Sequence, residues 1–177
     1  MRVVAGTLGG RVFDSPGTHK THPMSDKARG GLFNILGDIE GLRVLDAFAG
    51  SGALAFEAIS RGASHAVAID GDRAAQRTIT QNIHTLGADR QVRLISTTAN
   101  AWNATAAPTT FDILLCDPPY DDLQQPLIQR LAADRVATGG LLVLSWPAST
   151  DVPIFDGFEQ VTQRSYGDMQ LVFYRKG

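Results

Sequence analysis

The chain contains very little cysteine and no long hydrophobic run. Its 177 residues include one cysteine, Cys116, which excludes an internal disulfide framework and a cysteine-rich zinc site. No apolar stretch approaches the roughly 18 residues of a membrane span, and the start, MRVVAG, lacks the apolar core of a secretory signal. We therefore expect a cytoplasmic protein with no membrane segment and no metal site, in which Cys116 is a buried core thiol.

Strong compositional bias is also absent. Hydrophobic residues make up 44% of the chain and charged residues 19%, which supports an ordinary globular core. The length fits one domain, and no repeat or low-complexity segment divides it. We expect a monomeric single domain over 1–177, in which residues 1–37 form an N-terminal extension and residues 38–177 form the core.

The N-terminal region differs in charge from the rest of the chain. Up to residue 31 there are five basic side chains and two acidic ones, whereas the whole chain has a net charge of −2. A basic end on an acidic body suits contact with a phosphate backbone, although a chance fluctuation explains it equally well. The candidate phosphate-contacting residues are Arg2, Arg11, Lys20, His22, Lys27 and Arg29.

Short aliphatic runs alternate with helix-length segments through the core. The pattern predicts strands over 42–47, 66–70, 92–97, 111–116 and 141–146, and helices over 51–61, 72–86 and 123–137. Asp72 and Gly87 are the predicted caps of the second helix, and Gly139-Gly140 is the predicted end of the third. Strands that alternate with helices indicate a parallel sheet covered on both faces.

The two ends of the chain follow different patterns. Residues 158–175 predict a closing antiparallel hairpin around the turn Tyr166-Gly167-Asp168. Residues 2–13 also predict a hairpin, and a helix follows from Ser25 to Leu36. The predicted fold class is therefore α/β: a doubly wound, mostly parallel seven-stranded sheet with an antiparallel last strand and an N-terminal hairpin and helix.

A glycine-containing turn follows the first predicted core strand. Asp46 ends the strand, Phe48-Ala49-Gly50-Ser51-Gly52 forms the turn, and the next predicted strand ends in Asp70. Glycine lets the backbone approach a ligand closely, at the sheet edge where α/β folds bind ligands. From that position, Asp70 can accept hydrogen bonds from both ribose hydroxyl groups of an adenosine moiety.

The same turn also fits a dinucleotide-binding fingerprint. The run Gly50-Ser51-Gly52-Ala53-Leu54-Ala55 matches G-x-G-x-x-A, and Asp70 stands at the expected distance. A nicotinamide-dependent oxidoreductase is therefore an alternative. Asp46 argues against it, because its carboxylate would lie near a pyrophosphate, whereas it suits a cofactor that carries a sulfonium and an ammonium group.

A second motif, Asp117-Pro118-Pro119-Tyr120, ends the fourth predicted core strand. Two prolines cannot donate ladder hydrogen bonds, so the strand stops in a stiff loop at the ligand-binding edge. There Asp117 and the carbonyl group of Pro118 can accept the two hydrogens of an exocyclic base amine, while Tyr120 stacks on the base. This arrangement would aim the lone pair of the amine at an electrophilic methyl group. An ordinary turn is the alternative.

Together, the two motifs resemble those of amino-methyltransferases that act on nucleic acid bases. The rest of the chain is similar to one branch, the bacterial small-subunit ribosomal RNA guanine-N(2) methyltransferases. The similarity covers nearly the whole chain. Beyond the two motifs it rests on MRVVAG, Gly10-Arg11, His22-Pro23-Met24, 29–36, 57–63 and Tyr166-Gly167-Asp168.

The resemblance implies a class I, Rossmann-like methyltransferase that uses S-adenosylmethionine. The implied substrate is a guanine of small-subunit ribosomal RNA, free or in a partly assembled subunit. The implied catalytic residues are Asp117, Pro118, Pro119 and Tyr120. The implied cofactor-binding residues are Asp46, Phe48, Ala49, Gly50, Ser51, Gly52, Asp70, Asn100 and Asp117.

The chain departs from the family pattern at two places. His22-Pro23-Met24 replaces the usual Arg-Pro-Thr, so an arginine contact near the active site is missing or replaced. After the third strand the family tends to carry an aspartate, for which Asn100 is the best match. An amino-methyltransferase for another base, such as adenine in DNA or RNA, is an alternative, as is a non-catalytic RNA-binding remnant.

Overall fold

A computed structural model describes residues 1–17 and 23–177 and has one seven-stranded sheet at its centre. The strands are β1 (Arg43–Asp46), β2 (His65–Ile69), β3 (Val92–Ile95), β4 (Phe111–Cys116), β5 (Val136–Pro147), β6 (Phe158–Tyr166) and β7 (Met169–Lys176). The helices are α1 (Asp26–Leu36), α2 (Ala53–Ser60), α3 (Arg73–Leu86), α4 (Ala99–Thr105) and α5 (Gln125–Arg135).

The order of the strands is β3-β2-β1-β4-β5-β7-β6. Strands β1 to β5 pair in parallel, and β7 is antiparallel to both of its neighbours, which confirms the predicted fold class. The order reverses between β1 and β4, which is where open α/β sheets bind their ligands. Asp46 ends β1, Asp70 follows β2 and Asp117 follows β4, so this topology brings the three acids to one edge.

The central strands bury side chains on both faces of the sheet. Val44 of β1 and Leu115 of β4 pack on the face covered by α1, α2 and α3. Leu45 and Cys116 pack on the other face, against α4 and α5. Alternation with a period of two explains why Cys116 is a buried free thiol, as predicted.

The helix boundaries agree with the sequence prediction in one case and differ in another. Asp72 accepts hydrogen bonds from two backbone N–H groups of α3 (2.8 and 2.9 Å), and Gly87 ends that helix with a φ of 67°, so both predicted caps are confirmed. The prediction for Gly139-Gly140 is wrong, because both glycines lie within β5. Strand β5 begins to pair with β4 at Val136, directly after α5. The helix has therefore already ended before it could reach the glycines.

The sequence analysis did not predict α4. Ala99 is the only buried residue of this seven-residue helix, so the segment lacks the periodic apolar positions that would predict a helix. Tertiary contacts hold it instead. The guanidinium group of Arg135 lies 4.6 Å from the centre of the Trp102 ring and donates a hydrogen bond to the carbonyl oxygen of Asn103 (2.9 Å).

Residues 1–17 cross the outside of α2 and α3. The predicted hairpin is present as one antiparallel bridge between Arg2 and Val12, and backbone hydrogen bonds flank it from the N–H group of Val3 to the carbonyl oxygen of Arg11 (2.9 Å) and from that of Phe13 to Met1 (3.0 Å). The N-cap Ser25 begins α1 as predicted. In the described ranges, 1–17 and 23–177, no helix is long and apolar enough to cross a bilayer, and no cluster of His, Cys, Asp or Glu could hold a metal ion.

Candidate active site

A cavity of about 810 Å³ lies at the carboxyl edge of β1, β2 and β4. Residues 48–52 are called the glycine loop, and residues 48–51 of this loop form one wall. Residues 117–120, which we call the proline loop, contribute to the opposite wall. The predicted catalytic and cofactor-binding residues that line the cavity are Phe48, Ala49, Gly50, Ser51, Asp70, Asp117 and Pro119. The structure thus brings both sequence motifs to one space.

Asp70 holds the glycine loop in place. Its Oδ2 accepts a hydrogen bond from the N–H group of Gly50 and its Oδ1 accepts one from the N–H group of Asp72, both at 2.8 Å. Burial raises the pKa of Asp70, and these two hydrogen bonds oppose the shift. Each oxygen can accept a second hydrogen bond, as the ribose of an adenosine group requires.

Two glycines give this loop its shape. Gly50 and Gly52 have φ angles of 58° and 83°, in the left-handed region that favours glycine. A Cβ atom at Gly52 would lie 2.6 Å from the ring of Phe56, so the loop packs against α2 only because that side chain is missing. Gly52 therefore serves the packing of the loop and does not line the cavity.

Asp46 lies beneath the cavity and does not line it. The side chain is fully buried, and neither carboxyl oxygen has a hydrogen-bonding partner among the described residues. Burial, with the nearby charges of Asp117 and Asp70, raises the pKa of Asp46 to about 8. The N–H groups of Ala55 and Phe48 oppose this shift without reaching normal hydrogen-bond geometry.

An uncompensated buried carboxyl group next to two further acids favours a ligand that carries positive charge. The sulfonium and ammonium groups of S-adenosylmethionine fit this requirement, and a pyrophosphate does not. Although Arg29 also borders the cavity, its charge is paired with Asp26 (2.8 Å) and with the buried Glu57 (3.6 Å). The other charged side chains that line the cavity are all acidic: Asp70, Asp72, Asp117, Asp121 and Asp122.

The proline loop presents Asp117 to the cavity directly after β4. Burial raises the pKa of Asp117, and a hydrogen bond with the Ser145 side chain opposes the shift. The hydroxyl oxygen of Tyr120 lies 3.0 Å from Oγ of Ser145, and burial raises the pKa of Tyr120 to about 12. Tyr120 is 41% exposed beside the cavity, whereas Pro118 is buried beneath the loop.

The sequence analysis missed Ser145. This residue lies in β5, the strand next to β4, and only 2% of its surface is exposed. A hydroxyl group inside the otherwise apolar run LLVLSWP is the signal that could have identified it, since a buried polar group needs a partner.

Asn100 lies outside the cavity wall. Its side chain is exposed, and its Oδ1 accepts a hydrogen bond from Nη2 of Arg130 at 3.1 Å. Thr98 and Ala99 line the cavity at this end of α4 instead. An adenine contact by Asn100 would require the side chain to leave Arg130, so that role stays a prediction.

The prediction that Arg29 contacts phosphate is wrong. The side chain is buried, and its Nη2 donates hydrogen bonds to the carbonyl oxygen of Arg2 (2.6 Å) and to Oδ1 of Asp26 (2.8 Å). A guanidinium group directed into the protein cannot reach an RNA backbone. Arg29 belongs instead to the contacts that hold the N-terminal residues on the core.

Glu57 of α2 is the centre of those contacts. Its carboxylate is fully buried and accepts hydrogen bonds from the N–H groups of Val4 (2.7 Å) and Ala5 (3.1 Å) and from Nε of Arg61 (2.8 Å). The backbone passes so close to α2 that a Cβ atom at Gly6 would lie 1.8 Å from the carbonyl oxygen of Ser60. These contacts give residues 57–63 a structural role.

Asn82 of α3 joins the N-terminal residues to the glycine loop. It is fully buried, and its Nδ2 donates to the carbonyl oxygens of Asp14 (2.9 Å) and Ser51 (3.0 Å). Its Oδ1 accepts a hydrogen bond from the N–H group of Asp14 (2.9 Å). The sequence analysis did not identify this link, because its partners are backbone atoms distant in sequence.

The remaining candidate phosphate contacts have mixed positions. Arg2 is exposed and pairs with Asp26 at 2.8 Å, and Lys27 is exposed on α1. Arg11 donates to two carbonyl oxygens at the end of α3, both at 2.8 Å. The candidates Lys20 and His22 lie outside the described residues.

Comparisons with known proteins point in the same direction as this geometry. The model of the family Conserved hypothetical protein 95 matches residues 1–175. The Bacillus subtilis protein YlbH, named as a proposed rRNA methyltransferase, is 31% identical over 99% of both chains. Ribosomal RNA small subunit methyltransferase D of Escherichia coli is 36% identical over 68% of this chain and 60% of its own length.

A solved structure agrees as well. The Escherichia coli protein yhhF, described as a proposed methyltransferase, has a TM-score of 0.88 and 29% sequence identity, and the match covers 99% of this chain and 97% of that one. Together with the acidic cavity, these relatives confirm S-adenosylmethionine as the cofactor. The chain therefore belongs to the Conserved hypothetical protein 95 family and is an S-adenosylmethionine-dependent methyltransferase.

Proposed function

We propose that this chain methylates the exocyclic 2-amino group of a guanine in small-subunit ribosomal RNA. The observation that carries the proposal is that Asp117 lines the same cavity as the glycine loop, so base and cofactor would meet above its carboxylate. The names of two relatives support a ribosomal RNA substrate. The resemblance of MRVVAG and residues 29–36 to the guanine-specific branch supports the choice of base.

The proline loop would position the target amine. The carboxylate of Asp117 accepts one amine hydrogen and the carbonyl group of Pro118 accepts the other, which leaves the nitrogen lone pair free to attack. When bound, S-adenosylmethionine supplies a methyl group that its sulfonium already activates, so the reaction requires no metal. The protein contributes chiefly by positioning and by electrostatic stabilisation.

Asp117 is also suited to receive a proton. The nitrogen that gains the methyl group must lose one hydrogen, and Asp117 already holds that hydrogen in this arrangement. Burial raises the pKa of Asp117, which makes its carboxylate a better base than an exposed aspartate. The half-exposed ring of Tyr120 provides a face on which the extracted base can stack.

The N-terminal region borders the opening of the cavity and is our proposed RNA contact. Ser15, Pro16, Pro23 and Met24 line the cavity next to the basic residues. We propose that the exposed Arg2 and Lys27 meet phosphates, and that the protein acts as a monomer in the cytoplasm. If so, replacing both by Gln should flatten the log–log salt dependence of RNA binding by about 0.7 to 0.9 per contact, whereas Arg164→Gln on β6 should leave the slope unchanged.

The reaction itself is tested with labelled S-adenosylmethionine and three forms of substrate: free small-subunit ribosomal RNA, partly assembled subunits and complete subunits. Digestion to nucleosides followed by mass analysis identifies the product. We expect label in N2-methylguanosine. Label in N6-methyladenosine would support the alternative in which the methylated base is adenine. No transfer to any RNA, together with tight binding of NAD, would support the oxidoreductase instead.

A further inference from the structure

Ser145 occupies an unusual position for a hydroxyl group. Its neighbours in β5, Leu144 and Trp146, are both buried, and Ser145 itself is 2% exposed. A buried hydroxyl group is unfavourable unless it is hydrogen-bonded. Its hydroxyl oxygen lies 3.0 Å from that of Tyr120, and the pairing of Cys116 with Leu144 places Ser145 beside Asp117, whose pKa it lowers. Asp117 and Tyr120 are the first and last polar members of the proline loop.

The donors and acceptors of these three side chains set the direction of the hydrogen bonds. An ionised Asp117 can only accept, so Ser145 is the donor in a hydrogen bond between these two side chains. The oxygen of Ser145 then has to accept from the hydroxyl group of Tyr120, 3.0 Å away. The result is a directed chain from Tyr120 through Ser145 to Asp117. At neutral pH Tyr120 can fill this role, because burial raises its pKa to about 12 and keeps it protonated.

We infer that Ser145 is a positioning residue for methyl transfer, because it connects the carboxylate of Asp117, which holds the target amine, to the ring of Tyr120, on which the target base stacks. This inference rests on the proposed function of the proline loop. The two prolines restrict the backbone of that loop, but they do not orient the side chains at its two ends. A rigid strand that contacts both ends sets the separation between carboxylate and ring.

The first test is Ser145→Ala. This variant removes the donor to Asp117 and the acceptor for Tyr120, so kcat should fall by about ten- to a hundredfold, less than for loss of Asp117 itself. The partly exposed Tyr120 can then bond to water. Ser165→Ala on β6, an exposed serine of the same sheet, is the matched control and should leave kcat unchanged.

The pH profile separates positioning from simple loss of packing. The hydrogen bond with Ser145 lowers the pKa of Asp117, so its removal should raise that pKa. Because Asp117 must be ionised to hold the amine, the acidic limb of the kcat profile should move to higher pH in Ser145→Ala. A profile that keeps its wild-type midpoint would contradict the inference even if kcat falls.

A double-mutant cycle tests the chain as a unit. Tyr120→Phe should lose part of the activity that Ser145→Ala loses, and the double variant should be no slower than Ser145→Ala alone. Fully additive losses would overturn the inference. Methyl transfer by the wild type distinguishes this failure from failure of the proposed function. If the wild type transfers methyl groups and Ser145→Ala does so at the same rate, only the role of Ser145 is refuted, whereas absence of transfer by the wild type refutes both. Calorimetric titration of each variant with S-adenosylmethionine checks that cofactor binding is intact.

Discussion

The glycine loop and the proline loop face one cavity, but different interactions hold them. Backbone-directed hydrogen bonds hold the glycine loop: Asp70 bonds Gly50, and Asn82 bonds Ser51. The proline loop depends on two prolines and on side-chain contacts with Ser145 in the adjacent strand. The first loop is therefore connected to the N-terminal residues and to α3, whereas the second is a local feature of β4 and β5.

This difference separates the expected effects of substitution. Changes around the glycine loop should alter folding stability and ligand binding together, because the same bonds serve both. Changes in the proline loop should alter turnover and leave stability almost unaffected. Four substitutions test this comparison.

The largest effect is expected on the N-terminal side of the molecule, for Glu57→Ala. The substitution leaves the buried Arg29 with only the partly exposed Asp26 as an ionic partner. It also removes the acceptor for two backbone N–H groups and for Nε of Arg61. The free energy of unfolding should fall by about 3–5 kcal/mol, as expected when one partner of a buried ion pair is removed. Urea denaturation measures it. Glu159→Ala on the exposed edge strand β6 is the control, and an equal loss there would contradict the account.

Asp117→Ala tests the other side of the cavity. It removes the charged acceptor for the amine and should cut turnover by roughly two to three orders of magnitude, in line with the loss of one placed hydrogen-bonding group. Affinity for S-adenosylmethionine should fall far less than turnover, and the midpoint of thermal unfolding should stay close to wild type. Asp151→Asn, in an exposed loop, controls for the change of charge. Near-normal transfer by Asp117→Ala would mean that the tetrapeptide is an ordinary turn.

Asn82→Ala tests the link between the N-terminal residues and the glycine loop. The substitution leaves two carbonyl oxygens and one N–H group without their partner. We expect a loss of about 1–3 kcal/mol in stability and weaker binding of S-adenosylmethionine, with Gln81→Ala on the exposed face of α3 as control. Lower stability with unchanged cofactor affinity would show that the glycine loop does not depend on this bond.

The last substitution concerns Asp46, and its effect depends on pH. Its pKa is about 8 in the folded chain, above the value of 3.8 for an unperturbed aspartate. Because the unfolded chain ionises first, Asp46 should destabilise the cofactor-free fold increasingly between about pH 4 and pH 8. In Asp46→Asn this part of the pH dependence should disappear, as urea denaturation at several pH values would show.

Cofactor binding gives the complementary measurement for Asp46. A positively charged ligand binds better to an ionised carboxylate, so wild-type affinity for S-adenosylmethionine should rise as the pH increases towards 8. Asp46→Asn should bind more weakly and lose this rise. Parallel pH profiles for the two proteins would contradict the proposed electrostatic role.

Much of the fold and both loops could be predicted from the sequence because their signals are local. A hydrophobic strand followed by Gly50 and Gly52, or by Pro118 and Pro119, has few other backbone solutions. The alternation of strands and helices then requires a parallel sheet, whose carboxyl ends meet at one edge. By these rules alone the sequence determined that Asp70 and Asp117 share a site.

Only the tertiary structure decided which polar side chains serve the site and which hold the fold. Arg29 and Glu57 are charged residues whose burial depends on the N-terminal residues passing over α2, and no local pattern encodes that path. Asn82 and Ser145 bond to partners many residues away, so their roles arise only when the strands and helices pack. Local periodicity specifies elements, but the pairing of buried polar groups is settled by contacts between elements.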